Sequence, residues 1–385
     1  MSSKAKPVKK LRRFFGTVFS IASLAILTYV AIALIFGVSL DFQTLTSLLR
    51  PRVPVAMADA YSFDVGRDRV FADTGDFLAA AGTLGAQVLD MGGNEVLRYP
   101  FRMSHPAIYA SNGQAIVFDI GGYAVRLFRG GRLVASVNKR GAVVSASVNR
   151  NGWFCVSTQE GGGYSGLATV YSSNGNAVYE VFKGTGYILS AILSPDNRTL
   201  AVLRLTSLGS RVTLYHGLDK EEADSAFYLP GGLIIDIHFL PGGNLLAIAK
   251  DSLILIDMNG HGTEIFSFSG GRLGKYAIDG DNITLHLLDY GIGHSGRLVR
   301  LSQDGALLAQ VLTDREIISL SPRDGYLAVL RSDSLVFYDS ELEELSASGE
   351  HESPVGSSVV LALGDGTALA AGDHSAVLFR VTRSS

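Results

Sequence analysis

From about residue 60 onward, short apolar runs alternate with tight polar breaks, and one phrase keeps returning. "SPDNRTLAVLRLTSLGSRVTLYHG", "LPGGNLLAIAKDSLILIDMNGHG" and "SPRDGYLAVLRSDSLVFYDSELEEL" each place a turn before one apolar run and a polar break before the next. Aligning those turns gives eight anchors: Gly75, Gly113, Asn151, Asn197, Gly243, Asp281, Asp324 and Gly366. Their spacings are 38, 38, 46, 46, 38, 43 and 42 residues. Gly, Asn and Asp tolerate the backbone angles of tight hairpins. An apolar run precedes each anchor and two follow, and a weaker fourth such as "TEIFSFS" or "LLAQVL" completes the unit.

Four short strands in a repeat of about 40–50 residues predict a β-propeller blade. Runs such as "SLILID" and "LIIDIHFL" are almost continuously apolar, as strands packed on both faces must be. The expected fold is therefore all-β, a propeller of eight four-stranded blades over 59–385. The short inner strands of the first unit leave seven as the alternative count. The last unit shows only three runs, "SSVVLALG", "ALAAGD" and "SAVLFRVT", while "AYSFDVG" at 60–66 precedes the first. Pairing of 60–66 with the last blade would close the ring and protect its edges.

Ahead of the repeats the pattern changes. Residues 14–40, "FFGTVFSIASLAILTYVAIALIFGVSL", carry no charge and as a helix would extend roughly 40 Å, enough to cross a hydrocarbon core of about 30 Å. This apolar stretch exceeds the roughly 7–15 residues of a cleaved signal peptide, so a single-pass membrane anchor is expected. Six Lys or Arg residues lie in the tail 1–13, which places the N-terminus inside and the rest outside. Residues 41–58 read as a short extracytoplasmic stalk stiffened by Pro51 and Pro54.

Composition narrows the chemistry. Residues 1–52 hold eight of the 33 basic residues and one of the 36 acidic ones, which leaves 25 against 35, a net of −10, for the remainder. A body that acidic repels nucleic acid. The single cysteine, Cys155, excludes an internal disulfide framework and sits in an apolar run that suits packing. "GIGHSG" at 291–296 matches a dinucleotide fingerprint in letters, but a strand-like run follows it where that site needs a helix. It reads as a glycine-rich hairpin. "DGDN" (279–282) and "DTGD" (73–76) fall at hairpin positions and lack the twelve-residue spacing of a calcium loop. The eight histidines show no metal-ligand spacing, and His238 and His286 fall in strands as core residues. No nucleophile elbow is present. The expectation is no catalytic residue, no metal site and no cofactor.

In layout the chain resembles a family of single-pass, membrane-anchored β-propeller proteins of unknown function from Gram-positive, Clostridia-like bacteria. The resemblance rests on the basic tail, span, stalk and blades, and on the turns "SPDNRTLAV", "LPGGNLLAI" and "SPRDGYLAV". It implies an extracytoplasmic location and transfers no catalytic assignment. The Gly-His…Trp-Asp pairing that marks each WD repeat is absent.

Loop length points to one face. Strands alternate in direction, so loops joining the second and third strands share a rim with the connections between blades. The longer breaks at 159–166, 206–210, 289–296 and 346–357 fall there, and 218–225 falls on the opposite rim. Tyr164, Tyr290, His294 and His351 mark the candidate binding rim, since loops on a rigid scaffold gather binding residues. The function expected is a non-enzymatic, membrane-tethered scaffold outside the cell membrane that binds a protein or an envelope ligand, with another membrane or cell-envelope protein as the expected partner. The alternative is an extracytoplasmic hydrolase or lyase whose residues converge in the propeller channel. The sequence leaves the oligomeric state open.

Overall fold

The computed structural model describes residues 55–385 except 76, 161–165, 221, 292, 348–355, 365, 373–374 and 382–385. The basic tail, the apolar span and most of the stalk therefore lie outside the described residues. Among the described residues no helix is long and apolar enough to cross a membrane.

The chain enters through β1 (Val55–Ser62) and then lays down blades of four antiparallel strands. Blade 1 is β2 (Val70–Asp73), β3 (Phe77–Gly82), β4 (Gly85–Asp90) and β5 (Glu95–Pro100). Blade 2 is β6 (Pro106–Ser111), β7 (Gln114–Asp119), β8 (Ala124–Arg129) and β9 (Arg132–Asn138). Blade 3 is β10 (Ala142–Val148), β11 (Phe154–Gln159), β12 (Gly166–Tyr171) and β13 (Ala177–Lys183). Blade 4 is β14 (Tyr187–Leu193), β15 (Thr199–Thr206), β16 (Gly209–His216) and β17 (Ser225–Pro230). Blade 5 is β18 (Ile234–Phe239), β19 (Leu245–Ala249), β20 (Ser252–Ile256) and β21 (Gly262–Ser267). Blade 6 is β22 (Gly271–Asp279), β23 (Asn282–Asp289), β24 (Gly296–Ser302) and β25 (Leu307–Thr313). Blade 7 is β26 (Ile317–Arg323), β27 (Tyr326–Arg331), β28 (Leu335–Tyr338) and β29 (Glu344–Ala347). Blade 8 is β30 (Val359–Gly364), β31 (Thr367–Ala371) and β32 (Ser375–Val381), completed by β1 as its outermost strand. The count is eight.

All eight anchors fall in the hairpins between first and second strands. Asn197 (φ 63°) and Asp324 (φ 49°) hold the left-handed conformation there, which short polar side chains tolerate. First strands line the axis and touch in succession: β2 meets β6, β26 meets β30, and β30 meets β2 to complete the circle. Second and third strands are buried on both faces, as in β19 and β20. Fourth strands alternate, as in β9, because their outer edge meets water.

This burial divides into eight apolar clusters, one for each contact between neighbouring blades. Blades 4 and 5 share Leu203, Leu214, Ile237, Leu245 and Ile256. Each such fully buried side chain contributes roughly 1.5–3 kcal/mol. Cys155 is one of these packing residues, wholly buried between blades 3 and 4, and burial pushes its thiol up. His286 is likewise a core residue.

Closure differs in one respect from the sequence expectation. The sealing strand is 55–62 rather than 60–66: Val55 pairs with Val381 and Ser62 with Ser375. Residues 55–58, assigned from composition to the stalk, therefore belong to the sheet. Phe63 and Val65 follow β1 and are buried against blade 1. A fourth strand needs little apolar patterning, because one edge of it is free. That leaves its start hard to read from the sequence.

The junction of blades 8 and 1 is also latched by side chains. Tyr61, buried on β1, donates its hydroxyl to the Met91 carbonyl at 2.5 Å. Its ring lies over Gly93, where a Cβ would stand 2.6 Å from the ring. The same approach recurs at Gly305, whose added Cβ would meet the Ile265 carbonyl at 2.3 Å. Tyr61 thus occupies in blade 8 the place that Ile265 occupies in blade 5. On the hairpin rim Arg323 of blade 7 forms an ion pair with Asp73 of blade 1, spanning blade 8.

Tyr61→Ala should destabilise the protein by about 3–5 kcal/mol, and Tyr61→Phe by about 1 kcal/mol, in urea unfolding followed by tryptophan fluorescence. Equal effects would mean that the ring contributes nothing beyond the hydroxyl.

Candidate functional site

The antiparallel order of each blade sorts its connections between two ends of the ring. One rim carries the hairpins between first and second and between third and fourth strands. The other carries the loops between second and third strands and the links between blades. The hairpin rim is polar and tightly bonded. Asn149 Nδ2 donates to the Ser194 carbonyl at 2.9 Å, and the Gly113 amide donates to the Thr74 carbonyl at 2.7 Å, each joining two blades.

The other rim is apolar at its surface. Leu84, Ile120, Tyr123, Leu208 and Tyr290 project from loops between second and third strands of blades 1, 2, 4 and 6, and Tyr187 from the start of β14 in blade 4. Tyr290 is 74% exposed and Leu208 71%. On the hairpin rim Met91 is 36% exposed and Leu307, which opens β25, 58%. Exposed apolar side chains gathered at one end of a folded domain mark an interaction surface. Leu84 also lines an open pocket of about 450 Å³ with Tyr99, Phe101, Arg98 and Arg102. Arg98 there is held by Glu95 at 2.8 Å.

Tyr290 and His294 both lie exposed in the connection from β23 to β24. "GIGHSG" occupies that same connection and is followed by a strand, not a helix. Tyr164 and His351 fall in 161–165 and 348–355, outside the described residues. Loop length singled out 206–210 but not Leu208 within it, and it passed over Leu84, Ile120, Tyr123 and Tyr187. A large apolar residue inside a predicted turn was the available signal.

A second group lines the central channel. Asp236 and His238 are two apart on β18, and His238 Nε2 lies 3.1 Å from Asp236 Oδ2. Tyr276 of β22 donates its hydroxyl to the same oxygen, and its ring sits edge-on to His238. Burial alone would raise Asp236. The hydrogen bonds from His238, Tyr276 and the Ile237 amide, together with the His238 charge, outweigh it and hold the carboxyl below its ordinary value. Tyr109 of β6 stands across the channel, 38% exposed. Burial first and Asp236 second push its hydroxyl up to about 12. Burial and Asp236 raise Tyr276 as well, so both phenols remain donors at neutral pH. Sequence reading took His238 for a core residue. The structure makes it part of a channel group drawn from blades 2, 5 and 6.

Chemically the group is a braced carboxylate. No Ser, Thr or Cys is hydrogen-bonded to His238 among the described residues. Nor do these residues include three or more His, Cys, Asp or Glu side chains placed to hold a metal ion.

These features define an eight-bladed β-propeller sealed by its N-terminal strand. The model of a family of unknown function, DUF5711, matches residues 61–341, and the chain belongs to that family. Solved structures share the fold at low identity. The C-terminal WD40 domain of Sif2 aligns with a TM-score of 0.58 at 12% identity, covering 86% of this chain and 98% of that one. A eukaryotic initiation factor aligns at 0.55 and 12%, covering 83% and 86%. BamB from Moraxella catarrhalis aligns at 0.53 and 15%, covering 85% and 100%. No curated protein matches the sequence.

Asp236 carries a depressed pKa, so its contribution to stability is present above the ordinary carboxyl value and fades as pH falls through the folded one. Asp236→Asn should destabilise the ring at pH 6 by about 1–2 kcal/mol, with the gap to wild type narrowing toward pH 2. Urea unfolding at several pH values measures both, and a gap independent of pH would contradict the assignment.

Proposed function

We propose that this protein is a non-enzymatic scaffold, tethered to the cell membrane and facing outward, that docks another membrane or cell-envelope protein on its apolar rim. The observation that carries the reading is the concentration of exposed apolar side chains on the rim of the two–three loops, six there against Met91 and Leu307 on the hairpin rim. The pocket beside Leu84 offers that rim a recess for an inserted side chain. The tether is supported by the uncharged stretch 14–40 and its basic flank. Strand order agrees with this arrangement. Ser62 pairs with Ser375 at the docking rim, so Val55 lies at the polar hairpin rim, and whatever precedes it joins the ring there.

A catalytic channel would be the competing use of the fold, and the Asp236–His238–Tyr276 group is its support. Turnover by the full-length protein on a broad hydrolase panel, abolished by Asp236→Asn, would establish it.

A photocrosslinker at Leu208 or Tyr290, introduced in cells, should capture one common protein, while one at Lys220 on the hairpin rim should not. The double variant Leu208→Asp, Tyr290→Asp should reduce capture at least about tenfold without changing the unfolding midpoint, as expected for hot-spot side chains outside the core. Equal capture from both rims would overturn the docking assignment. Protease added to intact protoplasts should digest the propeller, and complete protection would overturn the outward orientation.

A further inference from the structure

Between blades 3 and 4, at the apolar rim, three cations converge, and among the described residues no carboxylate neutralises them. Lys183 ends β13 opposite Gly166 and turns toward blade 4, where its Nζ lies 4.9 Å from the ring centre of Tyr215. Arg204 and Arg211 pair directly across β15 and β16, so their side chains share one face of the sheet. Val202 and Tyr215, on that same face, pack against blade 3, which fixes its direction.

The setting is unusual for cations. Arg204 is only 8% exposed; its Nη1 donates to the Thr185 carbonyl at 3.0 Å, and its Nε has no partner. The hydroxyls of Thr213 and Tyr215 are also buried without a partner. Some arginines of the ring are matched by acids, as Arg98 is by Glu95, Arg315 by Asp333 and Arg323 by Asp73, while Arg129 and Arg331 bond the neutral side chains of Gln114 and Tyr338. Here the charges acting on Lys183 are Arg204 and Arg211, and burial together with this repulsion lowers its pKa. Arg204 is buried, Lys183 half-buried and Arg211 exposed, so the charge runs inward from the surface between the two blades. Unmatched buried charge and orphaned donors are both unfavourable, and a bound anion would relieve both at once.

The geometry points to an oxyanion site in this cleft that takes a phosphate group, as a monoester or a diester. Three cationic side chains and two hydroxyls offer more donors than the two oxygens of a carboxylate can accept, whereas a phosphate presents three or four. The guanidinium of Arg204 supplies the directional contact and Lys183 a mobile point charge. The site depends on neither the membrane tether nor the docking of a protein on this rim.

Isothermal titration of the full-length protein in mild detergent, at constant ionic strength, tests it with inorganic phosphate, glycerol 1-phosphate and glycerophosphoglycerol. Preference between the last two separates a monoester source from a diester source. Saturable binding of at least one probe is expected, with acetate at the same strength giving none. Lys183→Gln and Arg204→Gln should each weaken affinity about tenfold or more, the expected effect of losing one charge-assisted partner. Arg132→Gln, exposed on β9 of blade 2, should leave affinity unchanged. If Arg204→Gln does not fold, the double variant Lys183→Gln, Arg211→Gln alters only the accessible part of the cleft and should abolish binding. The proposal is overturned if no probe saturates below about 20 mM, a very weak affinity, or if that double variant binds as wild type does.

Discussion

The whole molecule depends on the pairing of β1 with β32. Every blade buries both faces of its middle strands, so none can exist as an outer layer, and the row of blades is stable only when its ends meet. With no disulfide available, the junction is made from main-chain hydrogen bonds and reinforced by packing. Tyr61 over Gly93 and the Arg323–Asp73 pair both act at this seam. Because β1 lies far from β32 in the sequence, the ring forms only once nearly the entire propeller has been assembled. Its stability is correspondingly cooperative.

That closed geometry then sorts the surface. Tight hairpins sit on one rim and hold neighbouring blades together through Asn, Ser and main-chain groups. The opposite rim is released from this duty, and its loops carry Leu208, Tyr290 and Tyr123 into solvent. A rigid base with a freely varied upper edge is a general solution for recognition, since loops can change without disturbing the core. The similarity to WD40-type rings and to BamB extends to the fold alone. Membership of a family of unknown function adds no chemistry, so the function must be argued from the sites themselves.

Much of the architecture was legible in the sequence. The anchors from Gly75 to Gly366 mark real hairpins because a tight turn constrains a few adjacent residues, whatever surrounds them. Continuous apolar runs such as "LLAIA" announced strands buried on both faces. Cys155 was readable as packing for the same reason. The edge strand β1 was less legible, since its outer side is not held to any pattern, and its start was placed five residues late. Among the site residues, the exposed loop holding Tyr290 and His294 followed from loop length. Leu84 and Ile120 did not, because an apolar residue in a turn looks the same whether it folds inward or points out.

The chain by itself determined the repeat and the side of each strand that faces a neighbour, since these are properties of local periodicity, and it narrowed the blades to eight or seven. Only the tertiary structure decided which distant residues meet. Asp236 reaches Tyr276 across a blade boundary, Tyr109 faces them over the channel, and Lys183 joins Arg204 and Arg211 between two blades. Such meetings are set by the curvature of the closed ring and by the register of neighbouring sheets. Neither quantity is written in the spacing of residues along one strand.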